Sequence, residues 1–338
     1  MTSTEVGDPV RCAVWARSVG LDPGGTAGSY AGFAVVDWRL PWPRDMADIA
    51  ELAEVTGLAG RHGLRLQGRV PSPGQSRRVT VYRRPAGPFV RYIREEADAG
   101  AGRGDDVAAA LAGLLARPVG PSSPEGGPPS RGGLLAGDGR RGEVLVCTHG
   151  RRDTCCGSAG TALYSQLTGG TELSGGTELS GGTELSGAGR VAGRPVVRTS
   201  HTGGHRFAPT VIVLPEGTVW AFADADLVRR VVSGSGAFDD IAPRYRGCTG
   251  LDSPAVQCLE RAVLSELGWP LMASGRHGEE LGGNRVRLSV VDPGGAASTW
   301  EAEVVAGRTV VVVDCGRPLG DARKTETERV VRGLQRVV

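Results

Sequence analysis

Two short segments hold the residue types that could carry chemistry. The first, CTHGRRDTCC, covers residues 147–156, and the second, SHTGGHRFAP, covers residues 200–209. Cysteine thiolates and histidine imidazoles are good ligands for iron and for zinc. A set of two plus two matches the ligation in which histidines hold one iron of a cluster. The residue types therefore predict a metal site and leave iron and zinc as alternatives.

The two histidines of the second segment, His201 and His205, are separated by three residues that include Gly203 and Gly204. A helix through this stretch would lose about 1 kcal/mol for each glycine, so a tight loop is expected. Small residues in such a loop also allow the backbone to approach a cofactor closely.

The same segments also suggest cysteine catalysis, in which His149 and the neighbouring arginines activate Cys147, Cys155 or Cys156. A phosphatase loop is excluded, because it needs an arginine six positions after the nucleophile. With Cys147 as the nucleophile, Asp153 stands at that position.

Each segment directly follows a predicted strand within a repeated order of elements. In the first half, strands are predicted at residues 31–36, 64–68, 78–83 and 90–95, with helices at 46–60 and 105–116. In the second half, strands are predicted at 143–147, 196–200, 210–214 and 218–222, with helices at 157–167 and 224–232. This order predicts an α/β fold of two similar layered units in tandem. Because α/β folds place reactive groups at strand ends, we expect both segments to converge on one site.

The remaining segments divide the chain further. Residues 118–142 are rich in glycine, proline and serine and are predicted to be a linker between units at 1–117 and 143–240. A perfect GGTELS repeat at residues 169–186 is predicted to be an expanded surface loop. Residues 241–338 offer a helix at 254–267 and three strand-like runs, which predict a small α+β appendage.

Bulk composition excludes several classes. The 338 residues carry 39 basic and 37 acidic side chains, a formal net charge of +2, so no binding driven by nucleic-acid phosphates is expected. The first residues lack a signal-peptide pattern and no stretch is apolar enough to span a membrane, which predicts a cytoplasmic protein without a membrane partner. Of the seven cysteines, four stand singly and are expected to fill the core: Cys12, Cys248, Cys258 and Cys315.

The pattern C-x-H-G-x-R-D-x-C-C followed by H-x-G-G-H-R-F-A resembles the sucrase/ferredoxin-like family of thioredoxin-like ferredoxins. The resemblance covers about residues 143–234, and the segment GLDPGGTAGSYAGFAVVDWRLPWPRD is similar to the family's opening segment. It implies two tandem thioredoxin-like units, of which the first is degenerate and the second holds a [2Fe-2S] cluster. The ligands it implies are Cys147, Cys156, His201 and His205. Cys155 is the adjacent alternative to Cys156.

The resemblance also implies electron transfer, with the donor and acceptor, protein or small molecule, left open. Neutral imidazole ligands raise the potential relative to an all-cysteine cluster, and protonation of an imidazole would make that potential depend on pH. Pro209 is similar to the cis-proline beside the reactive site of thioredoxin folds. Residues expected to surround the ligands and tune the site are His149, Arg152, Asp153, Cys155, Gly203, Gly204, Arg206 and Pro209.

Two alternatives stay open beside the cluster: a structural zinc site with the same ligands, and a cysteine-based redox enzyme. The eight residues between Cys147 and Cys156 exceed the two to four that usually separate zinc-binding cysteines, which favours iron without excluding zinc. Hydrolysis of a sugar, which the family name suggests, would need two carboxylates across a cleft, and no segment predicts such a pair.

Overall fold

The structure, a computed structural model, describes residues 9–72, 74–100, 103–119, 142–169 and 189–338. The first half contains β1 (Pro9–Val10), α1 (Cys12–Ser18), β2 (Gly32–Asp37), α2 (Ala53–Arg61), β3 (Leu64–Arg69), β4 (Arg78–Arg83), β5 (Ile93–Asp98) and α3 (Gly104–Leu115). The second half contains β6 (Glu143–Cys147), α4 (Thr154–Thr168), β7 (Arg190–Val191), β8 (Arg194–Thr199), β9 (Val211–Leu214), β10 (Thr218–Trp220) and α5 (Ala225–Ser233). The C-terminal part contains β11 (Tyr245–Cys248), α6 (Pro254–Leu267), β12 (Gly275–Gly282), β13 (Arg285–Val291), β14 (Ala297–Val312), β15 (Arg317–Pro318) and β16 (Lys324–Arg336).

The two halves have the same strand arrangement. In the first, β2 pairs parallel with β3 and antiparallel with β4, which pairs with β5. In the second, β6 pairs parallel with β8 and antiparallel with β9, which pairs with β10. The halves meet where Arg69 of β3 lies opposite Thr199 of β8, so that their strands, with β11 at one edge, form a single ten-stranded sheet. The predicted mixed α/β class is confirmed.

The C-terminal part builds a separate antiparallel sheet in the order β12-β13-β14-β16. Alternate residues of β13, including Val286, Leu288 and Val290, are buried, because successive side chains of a strand point to opposite faces. β14 and β16 are 16 and 13 residues long and pair along most of their length as an arm. Beyond β14 the chain turns at Cys315 into β15, which pairs with β1 at the other end of the protein.

One apolar core joins all three parts. It draws Phe33 from β2, Leu145 from β6, Leu259 from α6 and Leu288 from β13. A second core lies where α2 and α3 cover the first half of the sheet. The site described below therefore stands on elements that are fixed by shared packing.

Most predicted elements are present; the strand predicted at 90–95 lies three residues later, at Ile93–Asp98, and two helices differ for local reasons. The helix predicted at 46–60 is interrupted, since the extended Ile49 separates the 3-10 turn Met46–Asp48 from a second 3-10 turn, Ala50–Leu52, that leads directly into α2. The helix predicted from residue 157 begins at Thr154, because the Asp153 side chain caps it. The linker at 118–142 lies almost wholly outside the described residues, as does the GGTELS repeat beyond Gly169. Within the described part of the chain, no helix combines the length and apolar character needed to cross a bilayer.

Candidate metal centre

The first cysteine segment runs from the end of β6 into the first turn of α4. Cys147 is the last residue of β6, and Asp153 starts α4 by accepting a hydrogen bond from the Cys155 N–H at 2.9 Å. Asp is a favoured residue at this position because its oxygen satisfies a backbone N–H that has no partner within the helix. The cap places Cys155 and Cys156 in the first turn of the helix, where Cys156 lies beside Cys147 at the end of the strand.

Small residues allow α4 to lie close to β6. A Cβ atom added to Gly160 would stand 1.8 Å from the carbonyl oxygen of Cys147. A Cβ added to Gly157 would stand 2.5 Å from the Cα atom of Gly150. The helix can therefore bring Cys156 to Cys147 only because these positions lack side chains.

The histidine segment is a tight loop, as predicted. Gly203 and Gly204 have φ angles of 85° and 68°, in the left-handed region that glycine adopts without strain, and the chain then forms a 3-10 turn, His205–Phe207. The Ala208–Pro209 peptide bond is cis, and β9 follows. A Cβ on Gly204 would also meet the Arg246 guanidinium at 2.5 Å.

Three of the four predicted ligands come together. The Nδ1 atom of His201 lies 3.9 Å from the sulfur atoms of both Cys147 and Cys156, and these three donor atoms all lie within 4.8 Å of one another. Both cysteines are fully buried. We call Cys147, Cys156 and His201 the first ligand group.

Hydrogen bonding favours the thiolate form of one sulfur in this group. The Cys156 thiol donates to Cys147, and His201 lies beside it, so the pKa of Cys147 falls well below its ordinary value despite burial. The same hydrogen bond, together with burial, raises the pKa of Cys156. A thiolate is the form of cysteine that binds metals.

His149 holds the backbone of the histidine loop. Its Nδ1 accepts a hydrogen bond from the N–H of His201 at 3.2 Å, so its Nε2 carries the proton and donates to the carbonyl oxygen of Pro43 at 2.7 Å. The ring of Trp42 meets it edge-on at 5.5 Å. Burial lowers the pKa of His149, which keeps the ring neutral in this role. The loop that carries Trp42 and Pro43 belongs to the first half of the chain.

Two arginines donate hydrogen bonds to the backbone of the histidine loop. Arg65 of β3 donates to the carbonyl oxygen of His201 at 2.6 Å, and Arg246 of β11 donates to that of Gly203 at 3.0 Å. Burial lowers the pKa of Arg246 to about 10. Their positive charge favours an anionic centre at the loop. Sequence reasoning did not select either residue, because each reaches the loop only through sheet pairing.

The fourth predicted ligand, His205, faces away from the first group. Its Nδ1 lies 2.9 Å from an Asp153 carboxylate oxygen and 3.2 Å from the Cys12 sulfur, and its ring centroid is 6.2 Å from that of His201. The structure thus places His205 on the same loop as His201 but beside different residues.

Those residues form a second ligand group, which we define as Cys12, Asp153, Cys155 and Cys315. Their donor atoms all lie within 4.8 Å of one another. The expectation that Cys12 and Cys315 are isolated core cysteines was wrong. They are 303 residues apart, and no spacing signal links them, because the pairing of β1 with β15 brings them together. The expectation does hold for Cys248 and Cys258, which are buried in the main core.

A thiolate is also favoured in the second group. Hydrogen bonds from the thiols of Cys12 and Cys315 lower the pKa of Cys155 to about 3. The same contacts and burial raise the pKa of Cys12. By contrast, burial alone raises the pKa of Cys258 to about 11. The cysteines of the site therefore differ chemically from those of the core.

The other expected neighbours lie around this centre. Arg206 forms an ion pair with Glu326 of the arm, and Arg152 lies 3.8 Å from Asp45. Arg206 therefore joins the histidine loop to the C-terminal sheet. Arg152 points to the surface loop that precedes α2.

Two buried thiols and one imidazole, at the junction of strand ends and a helix start, form a Cys/His group that could hold a metal ion on a mixed α/β sheet. A family model described as sucrase/ferredoxin-like matches residues 25–247. The chain therefore belongs to the sucrase/ferredoxin-like family. Searches of curated proteins and of solved structures each returned no match.

Proposed function

We propose that this protein is an iron–sulfur electron-transfer protein that holds a [2Fe-2S] cluster in a thioredoxin-like unit of residues 143–240. Its proposed ligands are Cys147, Cys156, His201 and His205. The observation that supports this most is the convergence of two buried cysteines and His201, whose donor atoms lie within 4.8 Å of one another. The matching half at residues 1–117 is proposed to act as a scaffold, because Arg65 and the Trp42 loop support the site without supplying ligands.

The donor set fits this cofactor. Two thiolates and neutral imidazoles match the mixed ligation known for clusters of this type, in which histidines replace two cysteines. When bound, the cluster supplies one-electron oxidation and reduction. The chain's own residues set the conditions for that exchange. His149 fixes the backbone of His201, Arg65 and Arg246 place positive charge beneath the loop, and burial of Cys147 and Cys156 limits contact with water.

The decisive experiment is anaerobic purification followed by a visible absorption spectrum and iron and sulfide analysis. Wild type should be red-brown with about two irons per chain. His201→Cys and His205→Cys should each keep iron, shift the absorption bands and lower the midpoint potential, because a thiolate makes the cluster more negative. His277→Cys, the same change at an exposed strand position away from the site, is the matched control and should change nothing.

A colourless protein without iron would overturn the proposal and favour structural zinc or thiol chemistry at the first group. A spectrum that responds to His201→Cys but not to His205→Cys would remove His205 from the ligand set. That result would agree with the contact between His205 and Asp153.

Proton uptake by an imidazole of this loop should couple to reduction. We expect the midpoint potential to fall by about 59 mV for each unit rise in pH, which is the slope for one proton taken up per electron. Redox titration at several pH values measures this slope. A potential independent of pH in wild type would contradict coupling, and a flat response in the His201→Cys/His205→Cys double variant is the control.

A further inference from the structure

The second ligand group brings together three thiols and a carboxylate from distant parts of the chain. The Cys315 sulfur lies 3.0 Å from that of Cys155 and 3.2 Å from that of Cys12. Asp153 reaches the same point, with one oxygen 3.4 Å from the Cys315 sulfur and 3.8 Å from the Cys12 sulfur. The four donors come from α1, the start of α4 and the turn after β14.

These contacts are unlike the packing of an ordinary core cysteine. Cys12, Cys155 and Asp153 are buried, yet they contact one another instead of apolar side chains alone. Among the described residues, His205 is the one basic side chain in ion-pair contact with Asp153. The Asp153 carboxylate and a thiolate at Cys155 bring negative charge into one buried group, which a bound cation would stabilise.

We propose that Cys12, Cys155, Cys315 and Asp153 form a second metal site, which binds Zn²⁺. Zinc favours four ligands in a tetrahedron, and three thiolates with one carboxylate supply them. At zinc–sulfur distances of about 2.3 Å the sulfur atoms stand about 3.8 Å apart, so the observed sulfurs need to separate by less than about 1 Å.

The surroundings support this assignment. The Cys12 N–H donates to the Cys315 sulfur at 3.4 Å, and the Cys155 N–H donates to Asp153. His205 binds the remaining oxygen of Asp153, an arrangement that orients a metal ligand from outside. α4 is 15 residues long, and its positive N-terminal end faces the group, which favours an anionic ligand set.

A metal at this site would link the N-terminal helix and the C-terminal arm, which the family match does not cover. Cys12 and Cys315 lie outside residues 25–247, whereas Cys155 lies inside. Beside them, β1 pairs with β15 through only two residues on each strand. A metal here would fix the N-terminal helix and the C-terminal arm onto α4. The proposal does not depend on the iron–sulfur function: the two sites share no ligand, and His205, a proposed cluster ligand, contacts Asp153 and Cys12 of this one without being one of its ligands.

The test measures zinc and iron in the full chain, purified anaerobically from cells supplied with both metals. Wild type should contain about one zinc per chain in addition to iron. Cys12→Ser and Cys315→Ser should each lose the zinc while keeping the iron content and visible spectrum of wild type. Cys258→Ser, a buried core cysteine, is the matched control and should keep both metals.

X-ray absorption at the zinc edge of wild type provides a test that needs no variant to fold. It should show three sulfur ligands at about 2.3 Å and one oxygen ligand. Wild type without zinc, or with a disulfide between any two of the three cysteines, overturns the proposal. So does zinc that survives Cys12→Ser and Cys315→Ser but is lost in Cys147→Ser, or iron that is lost in Cys12→Ser.

The outcomes separate the two proposals. A colourless protein that binds zinc through Cys12 and Cys315 would remove the iron–sulfur function and keep the zinc site. A red-brown protein without zinc would keep the iron–sulfur function and remove the zinc site.

Discussion

Cys155 and Cys156 are adjacent in the chain but belong to different ligand groups. Successive residues of a helix are rotated by about 100° around its axis, so the first turn of α4 directs one sulfur to each group. Cys156 faces Cys147 and His201, and Cys155 faces Cys12 and Cys315. The choice between the two cysteines, which spacing left open, thus has a geometric basis.

This division predicts different effects for two neighbouring substitutions. Cys156→Ser should abolish the visible spectrum and reduce iron to a trace, because serine is a poor ligand for a cluster. Cys155→Ser should retain the iron content and absorption bands. Absorption and iron analysis of the two variants side by side measure this. Loss of colour in Cys155→Ser with retention in Cys156→Ser would reverse the proposed assignment.

Among the elements, α4 positions the site most directly. It begins at Asp153, presents both cysteines in its first turn and packs on β6 through Gly157 and Gly160. A substitution that moves α4 away from β6 would also move Cys156 away from Cys147. Binding of a metal by Cys156 would therefore depend on this helix packing.

Gly160→Ala should destabilise the protein and weaken metal binding. The added Cβ would stand 1.8 Å from the carbonyl oxygen of Cys147, and relief requires the helix to shift, at a cost of about 1–3 kcal/mol. Gly113→Ala in α3 is the matched control, because nothing lies within 4 Å of its added Cβ. That control should be neutral or stabilising by up to about 1 kcal/mol. Urea unfolding and iron content compare the two. Equal stability of both variants would contradict the packing argument.

At the scale of the whole molecule, the sheet is continuous across its two halves at a charged junction. Arg69 of β3 bonds Asp37 of β2 at 2.5 Å and also pairs with Glu143 of β6, and all three side chains are buried. Burial alone would lower the pKa of Arg69, but Glu143 and Asp37 raise it, so the arginine stays charged. The Arg69 side chain thus links both halves of the sheet, next to the strand that leads into the histidine loop.

Arg69→Met should be strongly destabilising, by about 3–5 kcal/mol, because it removes the ion-pair partner of buried Glu143 and leaves buried Asp37 only the longer contact with Arg78, at 3.6 Å. Arg285→Met, which removes the half-exposed partner of Glu301, should cost at most about 1 kcal/mol. Midpoints of urea unfolding measure both effects. Similar midpoints for the two variants would show that the junction adds little to stability.

A second link joins the N-terminal segment to the C-terminal part, where Asp22 pairs with Arg261 of α6 at 2.5 Å. Burial would raise the pKa of Asp22, but the Arg261 guanidinium and nearby hydrogen bonds lower it below its ordinary value. A carboxylate whose pKa is lower in the folded state stabilises that state above the unfolded pKa of about 3.9. This contribution is lost as the pH falls through the folded value.

Asp22→Asn should therefore lower the free energy of unfolding by about 1–2 kcal/mol at pH 7, and the difference from wild type should begin to shrink as the pH falls below about 4. This range already allows for partial exposure of the Asp22 side chain, which is 31% accessible. Unfolding curves between pH 3 and pH 7 measure it. A constant difference across that range would mean that the carboxylate charge is not the cause.

The sequence alone determined the mixed α/β class, the family and the two segments that hold the candidate ligands, because alternating apolar residues and closely spaced cysteines and histidines are local patterns. It also indicated the tight histidine loop from two adjacent glycines. Only the tertiary structure decided that Cys156 lies with Cys147 while Cys155 does not, and that His205 turns to Asp153. The same holds for Cys12 and Cys315, which reach the site through strand pairing between the two ends of the chain. Such contacts depend on how distant elements pack, and no short segment of the sequence encodes them.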